Sequence, residues 1–394
     1  MLSLDPWFIF ARNLGLNRIM EFPAFILVLA LAYANGTNDV SKAIATLVGS
    51  GVTNYRTAIL WGTGWTMIGA GAAAFVAGAM VKTFSQGLVQ TGTMIPPTVT
   101  MAVLAGAMGW VLFASRTGLP VSTTHALTGA IVGAGLAAYA GEALLWPAII
   151  KKIALPLLLS PFLALGLSYL LYPCLRLLAA RWEGACLCVI PASRALVVLN
   201  AQGSTRTLFQ TSTFGQPVLA VPSQCDRSGL QGLSVGLDTV HWLSSGLASF
   251  ARGTNDAPKI VAMLLLSSTT ATWPSVSIQL AVFAGVTLAM GVGSYIGGLR
   301  VTTVLAENVT TMNHMEGLSA NLATSSLVLL SGILGLPVST THVSSSAIIG
   351  IGLRNGMQAV RWPTVQSMVL AWIVTLPATA VLAGLSYWIL SLVF

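Results

Sequence analysis

Two short signatures concentrate the ionisable chemistry of this chain. Gly36-Thr37-Asn38-Asp39 is followed by Lys42, and Gly253-Thr254-Asn255-Asp256 by Lys259, with Arg252 just ahead of the second set. All five charged residues lie inside hydrophobic segments, where an ionisable group is costly unless paired or hydrated and marks a functional site. The local sequence Asn-Gly-Thr-Asn-Asp holds a glycine and residues that bend helices, so an unwound point is expected within each segment. Unwound backbone at membrane depth is tolerated only inside protein or against a water-filled cavity. For Asp39 and Lys42, three residues apart, a buried helix-face pair that fixes packing is the alternative. Recurrence of the set favours a site.

A second pair of segments suits anion chemistry. Gly118-Leu119-Pro120-Val121-Ser122-Thr123-Thr124-His125 recurs as Gly335-Leu336-Pro337-Val338-Ser339-Thr340-Thr341-His342. Gly and Pro set a turn, Ser is a good N-cap, and apolar helices follow over Ala126–Gly135 and Val343–Gly352. Such an entry aims free backbone N–H groups and the positive end of a helix dipole at one point. Ser122, Thr123, Thr124, Ser339, Thr340 and Thr341 add hydroxyl donors, which suits a small oxyanion. Plain capping of a membrane helix is the alternative. His125 and His342 are read first as hydrogen-bonding residues and second as a proton relay.

The elements that position these residues follow from composition. Of 394 residues, 55% are hydrophobic and 7% charged. A soluble domain carries roughly a quarter of its residues as charges, so an ordinary soluble enzyme, a disordered regulator and a nucleic-acid binder are excluded despite a net charge of +8. A bilayer-crossing helix needs about 20 mostly apolar residues. Such runs occur at Phe22–Val48, Thr57–Val81, Met94–Ser115, Gly118–Ala140, Ile149–Ala180, Leu237–Ser267, Ser275–Leu299, Gly317–Leu334, Leu336–Leu353 and Val365–Phe394. Ile149–Ala180, with Pro156, Pro161 and Pro173, reads as more than one element. The expectation is an all-α polytopic membrane protein with ten to twelve transmembrane segments.

Both motif pairs are offset by 217 positions (253 less 36, and 335 less 118). The chain is therefore two homologous halves, residues 1–180 and 237–394, joined by a polar linker over 181–236. If each half crosses five times, the second is inverted relative to the first. Arg12, Arg18, Lys82, Lys151 and Lys152 then share one side, while the linker and the remaining ten loop arginines share the other. The positive-inside rule places the linker in the cytoplasm and both termini outside. Inverted repeats with broken helices meeting at a midplane site are a secondary-transporter design.

Within the linker, Ala195–Leu199 and Thr205–Gln210 read as a short β-hairpin. Cys186, Cys188 and Cys225 are expected to be unpaired cytosolic thiols, not a metal site. Phe22–Ala34, ending Ala32-Tyr33-Ala34, resembles a signal peptide, but the residues after the apparent cleavage point recur inside the chain, which argues against removal.

The paired Gly-Thr-Asn-Asp and Gly-Leu-Pro-Val-Ser-Thr-Thr-His motifs resemble the inorganic phosphate transporter family, which also includes sulfate permeases. The resemblance covers both membrane halves but not the linker. It implies cation-coupled phosphate uptake, an anion site between the two Ser-Thr-Thr segments, and cation coupling at Asn38, Asp39, Asn255 and Asp256. Members commonly read Gly-Ala-Asn-Asp-Val-Ala-Asn, whereas here the final amide is replaced by Lys42 and Lys259. An ammonium there can take the place of Na⁺ and neutralise its Asp, which points to H⁺ coupling; under Na⁺ coupling, Asp39 and Asp256 would be the metal ligands. Arg252, opposite Asn35 in the other repeat, is a further asymmetry suited to direct anion contact.

The expected partners are phosphate or, as runner-up, sulfate, together with membrane lipid; a homodimer is compatible. No organic cofactor is implied. Phosphate is favoured because it can donate a proton to a carboxylate and sulfate cannot. An uncoupled anion channel is a second class. An intramembrane enzyme is disfavoured, since the sequence has no His-Glu-x-x-His, no Gly-x-Ser-x-Gly and no clustered acidic pair.

Overall fold

The computed structural model describes residues 21–90, 95–179, 186–199, 205–220, 236–266, 273 and 275–393. The first half runs α1 (Glu21–Asp39), α2 (Ser41–Gly49), α3 (Tyr55–Val76), α4 (Gly78–Ser85), α5 (Pro97–Thr117), α6 (Thr123–Tyr139) and α7 (Leu155–Ala179). The second runs α8 (Leu237–Leu266), α9 (Val276–Gly297), α10 (Leu299–Glu307), α11 (His314–Ile333), α12 (Thr340–Arg354) and α13 (Trp362–Val393). The order is the same in both halves, except that α8 spans what α1 and α2 share between them.

Local chemistry explains the boundaries. Asn54 caps α3 by accepting from the Thr57 N–H at 3.0 Å, and Ser275 caps α9 from Ile278 at 3.2 Å. Asn313 and Glu316 form a reciprocal capping box on α11, and Pro97 opens α5. Gly118 and Gly335, with φ of 78° and 64°, end α5 and α11 in the left-handed conformation that glycine accommodates. The run over Ile149–Ala180 does divide: a π-helical turn at Ile149–Ala154 precedes α7, which carries Pro161 and Pro173 in its interior.

The expected unwound points are corrected. In the first half the interruption is one residue, Val40, still in right-handed helical conformation. In the second half α8 runs unbroken through Gly253–Lys259 with Pro258 inside it. Proline lacks an N–H and crowds the preceding turn, and burial against neighbouring helices makes it tolerable here.

The halves exchange their outer helices. Helix α13 lies on α5 and α6 of the first half, while α7 lies on α11 and α12 of the second; α1 packs on α9, and α8 on α3. Gly36 faces the backbone of Met290 and Ser294, and Gly253 that of Thr66 and Ala70; a Cβ on Gly36 or Gly253 would come within 2.7 Å of the Ser294 or Ala70 nitrogen, respectively. No side chain fits at either crossing.

Among the described residues five helical stretches are long and apolar enough to cross a membrane: Tyr55–Val76, Pro97–Thr117, Trp146–Leu178, Val276–Gly297 and Trp362–Val393. Their outer faces expose Leu158, Phe162, Leu370, Ile373 and Trp388, while Asn35, Asp39, Lys42, Arg252 and Asp256 are buried. An apolar exterior around a charged interior is the arrangement of an integral membrane protein.

In the linker, β1 (Cys186–Leu199) and β2 (Thr205–Ala220) pair antiparallel from Leu199 opposite Thr205 to Cys186 opposite Ala220, with a register shift between Pro191 and Ser193. The strands run longer than the sequence reading expected. Cys225, Arg12 and Arg18 lie outside the described residues, as do the side chains of Cys186 and Cys188.

Candidate functional site

The two signature helices bring their acid–amine pairs into one buried cluster where the halves meet. Lys42 Nζ bonds the Asp39 carboxylate, Asn38 Oδ1 at 2.8 Å and the Val121 carbonyl at 3.3 Å. Lys259 Nζ bonds Asp256 at 3.2 Å, the Val338 carbonyl at 3.2 Å and Thr124 Oγ1 at 2.8 Å. Each ammonium thus donates to a carboxylate, a backbone carbonyl and one further side-chain oxygen. Their equivalent neighbours follow from the repeat, since Val121 and Val338 sit just before the two Ser-Thr-Thr segments.

Those segments place helix N-termini against each other. Ser122 caps α6 by accepting from the His125 N–H, and Ser339 caps α12 from the His342 N–H, each at 3.1 Å. Thr124 Oγ1 donates to the Val338 carbonyl at 3.2 Å, and Thr341 Oγ1 to the Val121 carbonyl at 2.6 Å. Thr340 donates to Asp39 at 3.2 Å. Each cap satisfies one N–H of its helix, and the positive ends of both dipoles bear on the same buried volume. The serines therefore act on the backbone, while Thr124, Thr340 and Thr341 tie one half to the other.

Asn38 donates to the Leu119 carbonyl at 3.0 Å and accepts from the Val121 N–H at 3.1 Å, which fixes the turn into α6. Asn255 donates to Asp256 at 3.0 Å and to the Val338 carbonyl at 3.4 Å. Arg252 is buried and donates through Nη2 to Thr66 at 2.7 Å and Ser294 at 3.4 Å; its Nε and Nη1 have no partner among the described residues. An unpaired guanidinium edge in a dry interior has strong affinity for an oxyanion.

His125 and His342 meet at a tilt of 37° with ring centroids 4.5 Å apart, and His342 stacks on Trp372 at 4.1 Å. Nδ1 of His125 is buried without a partner among the described residues.

One residue central to the cluster escaped the sequence reading except as the counterpart of Arg252. Asn35 Nδ2 donates to Asp39 at 3.1 Å, to Thr123 Oγ1 at 3.0 Å and to Asp256 at 3.3 Å, so a single amide touches both carboxylates. The signal was available: an asparagine in an apolar run, at the register position of an arginine in the other half. Thr66 and Ser294, which hold Arg252, carried no such signal because they lie outside both motifs.

Among the described residues no group of three or more His, Cys, Asp or Glu side chains is placed to hold a metal. The oxygens around the two amines form a cation-binding set already filled by the chain's own ammonium groups.

Comparison with known proteins identifies the family and the fold. Residues 35–383 match the model of the phosphate transporter family. A Bacillus subtilis protein described as "Probable low-affinity inorganic phosphate transporter" is 30% identical over 95% of this chain and 98% of its own length. A Mycobacterium leprae protein of the same description is 27% identical over 96% of this chain and 80% of its own length. A solved structure described as "The sodium-dependent phosphate transporter" has the same fold, with a TM-score of 0.73 and 22% identity over 95% of this chain and all of its own. The family match spans both signatures, both Ser-Thr-Thr segments and the helices that join them: the chain belongs to the phosphate transporter family.

Proposed function

We propose that this protein is a secondary active transporter that imports inorganic phosphate by H⁺-coupled symport with alternating access. It does so between two inverted repeats in the cell membrane, with the linker cytoplasmic and the termini outside. One observation carries the coupling assignment. Lys42 and Lys259 hold their ammonium groups among the carboxylate, carbonyl and side-chain oxygens that a Na⁺ would otherwise take. A tethered ammonium cannot leave with the substrate, so the coupling charge must be a proton gained and lost by the acid–amine cluster. Buried lysines and carboxylates titrate readily, which makes that exchange accessible.

The charge balance supports the same reading. Arg252, Lys42 and Lys259 against Asp39 and Asp256 leave one net positive charge. A phosphate dianion arriving with one proton brings the loaded site to neutrality. The unpaired edge of Arg252, Thr123 and Thr340 beside Asn35 and Asp39, and the N-termini of α6 and α12 supply donors for the anion.

Na⁺ coupling at Asp39 and Asp256 is the second reading, favoured by the description of the structural relative as sodium-dependent. Phosphate uptake into proteoliposomes separates the two. The expected result is uptake driven by an inward pH gradient without Na⁺, and acquisition of Na⁺ dependence in the double variant Lys42→Asn, Lys259→Asn. Wild-type uptake that requires Na⁺ at every imposed pH gradient overturns the assignment. Strong inhibition by excess sulfate would transfer the substrate to sulfate.

A further inference from the structure

A second polar cluster lies on the linker side of the fold, where α8 and α11 begin. His241, one turn into α8, is fully buried, and neither ring nitrogen has a partner among the described residues. Toward the surface, His314 Nδ1 at the start of α11 bonds the Asp238 carboxylate at the start of α8; Asp238 is exposed and His314 half-buried. The His241 and His314 rings lie 6.4 Å apart. Toward the interior, His241 and Thr46 of α2 both border Gly317: a Cβ at 317 would stand 2.6 Å from His241 Nε2 and 3.2 Å from Thr46 Cβ. Thr46 Oγ1 is also buried without a partner. Four residues before it on the same helix is Lys42.

We propose that His241 is the proton-release residue of the transport cycle, joining the coupling site to the linker-side surface through Thr46 on one side and His314 with Asp238 on the other. The proposal rests on the H⁺-coupled reading above. A buried imidazole without fixed partners can accept a proton at one nitrogen and give up another from the second, returning to neutrality each time. The proton leaves the cluster at Lys42 and passes the Thr46 hydroxyl, one turn or about 6 Å along α2. It is taken up at His241 Nε2 as the Nδ1 proton passes to His314 or Asp238 and so to water. Lys42 Nζ is held toward Asn38 and Asp39, so this step requires the side chain to leave those partners and swing along α2 toward Thr46.

The repeat supplies an internal control. The positions equivalent to His241, His314 and Thr46 in the other half are Ala24, Pro97 and Met263, which cannot pass a proton. Only one half has the connection, and it leads to the face where the linker enters α8. Groups facing His241 are Asp238 on its own helix and His314 on α11, with Thr46 of α2 beside Gly317; α3 presents Trp61 and Trp65 to this part of α8. Glu316, also on α11, is engaged by its own capping box and by Asn355 at 2.8 Å.

Proteoliposome transport with His241→Gln provides the test. Net phosphate uptake requires the proton to be released, whereas phosphate-for-phosphate exchange proceeds with the proton retained. The expected result is a loss of net uptake of about tenfold, with exchange unchanged and the dependence of net uptake on linker-side pH abolished. Thr46→Val, which keeps the shape and removes the hydroxyl, is expected to give the same split at smaller amplitude. Wild-type net uptake in H241Q, or equal loss of net uptake and exchange in both variants, overturns the proposal. Wild-type uptake indifferent to the pH gradient overturns the H⁺-coupled reading and this route with it, and is recognised before any variant is made.

Discussion

The two acid–amine pairs share their sequence, spacing and burial, yet each sits in a different backbone. In the first half the helix pauses at Val40, and Lys42 bonds only oxygens of its own half. In the second, α8 continues through Pro258, and Lys259 reaches across to Thr124. Single-residue departures from the repeat produce the difference. Pro258 stands where Ser41 would, and Arg252 where Asn35 would. Asn35 touches both carboxylates, whereas Arg252 keeps two nitrogens unpaired. A duplicated sequence therefore yields two pairs that differ in their lysines, one reaching the opposite half and one bonded within its own, while both carboxylates accept from across the halves.

Removing one carboxylate at a time tests that difference most strongly. Asp39→Asn leaves the Lys42 ammonium buried with no carboxylate of its own, at a cost of about 3–5 kcal/mol. Asp256→Asn leaves Lys259 with Thr124 and the Val338 carbonyl, as Asp39→Asn leaves Lys42 with Asn38 and the Val121 carbonyl, so a comparable loss is expected. Thermal melting in detergent alongside uptake reads both; a clearly larger loss for one of them would show that the cross-half bond of Lys259 makes the pairs unequal.

Thr124→Val and Thr341→Val come next. The first removes a hydrogen bond from a charged amine, about 1.5–3 kcal/mol, and the second a neutral one, about 1 kcal/mol. The reverse order in melting temperature would contradict the cross-half role of Thr124. The smallest expected contrast lies at the crossings. Gly36→Ala and Gly253→Ala each overpack a backbone contact, for about 1–3 kcal/mol, and should destabilise alike because both meet backbone atoms. A clear difference between them would show that the crossings have diverged as the ion pairs have.

Much of this was legible in the sequence, for identifiable reasons. Charge is so scarce here that Asp39, Lys42, Arg252, Asp256 and Lys259 stood out against an apolar background, and duplication fixed their correspondence. Ser122 and Ser339 were legible as caps because capping is local chemistry. The path of α8 was not: Gly, Asn and Pro read as helix breakers, and only surrounding helices decide whether a break occurs. The bridging by Asn35 was also hidden, because it depends on how two halves meet and not on neighbours along the chain. His241 lay beyond both motifs, and its interest arises from contacts with α2 and α11 that no local pattern announces.

Gly36 and Gly253 carry one more consequence. In the sequence each reads as a point of freedom, yet each is clamped against peptide groups of the opposite half. Bare backbone meeting bare backbone has no rotamers to rearrange, so α1 with α9 and α8 with α3 behave as two soldered joints. Any motion of the protein must leave these joints intact and be taken up elsewhere. The residues that look most like hinges are the axle.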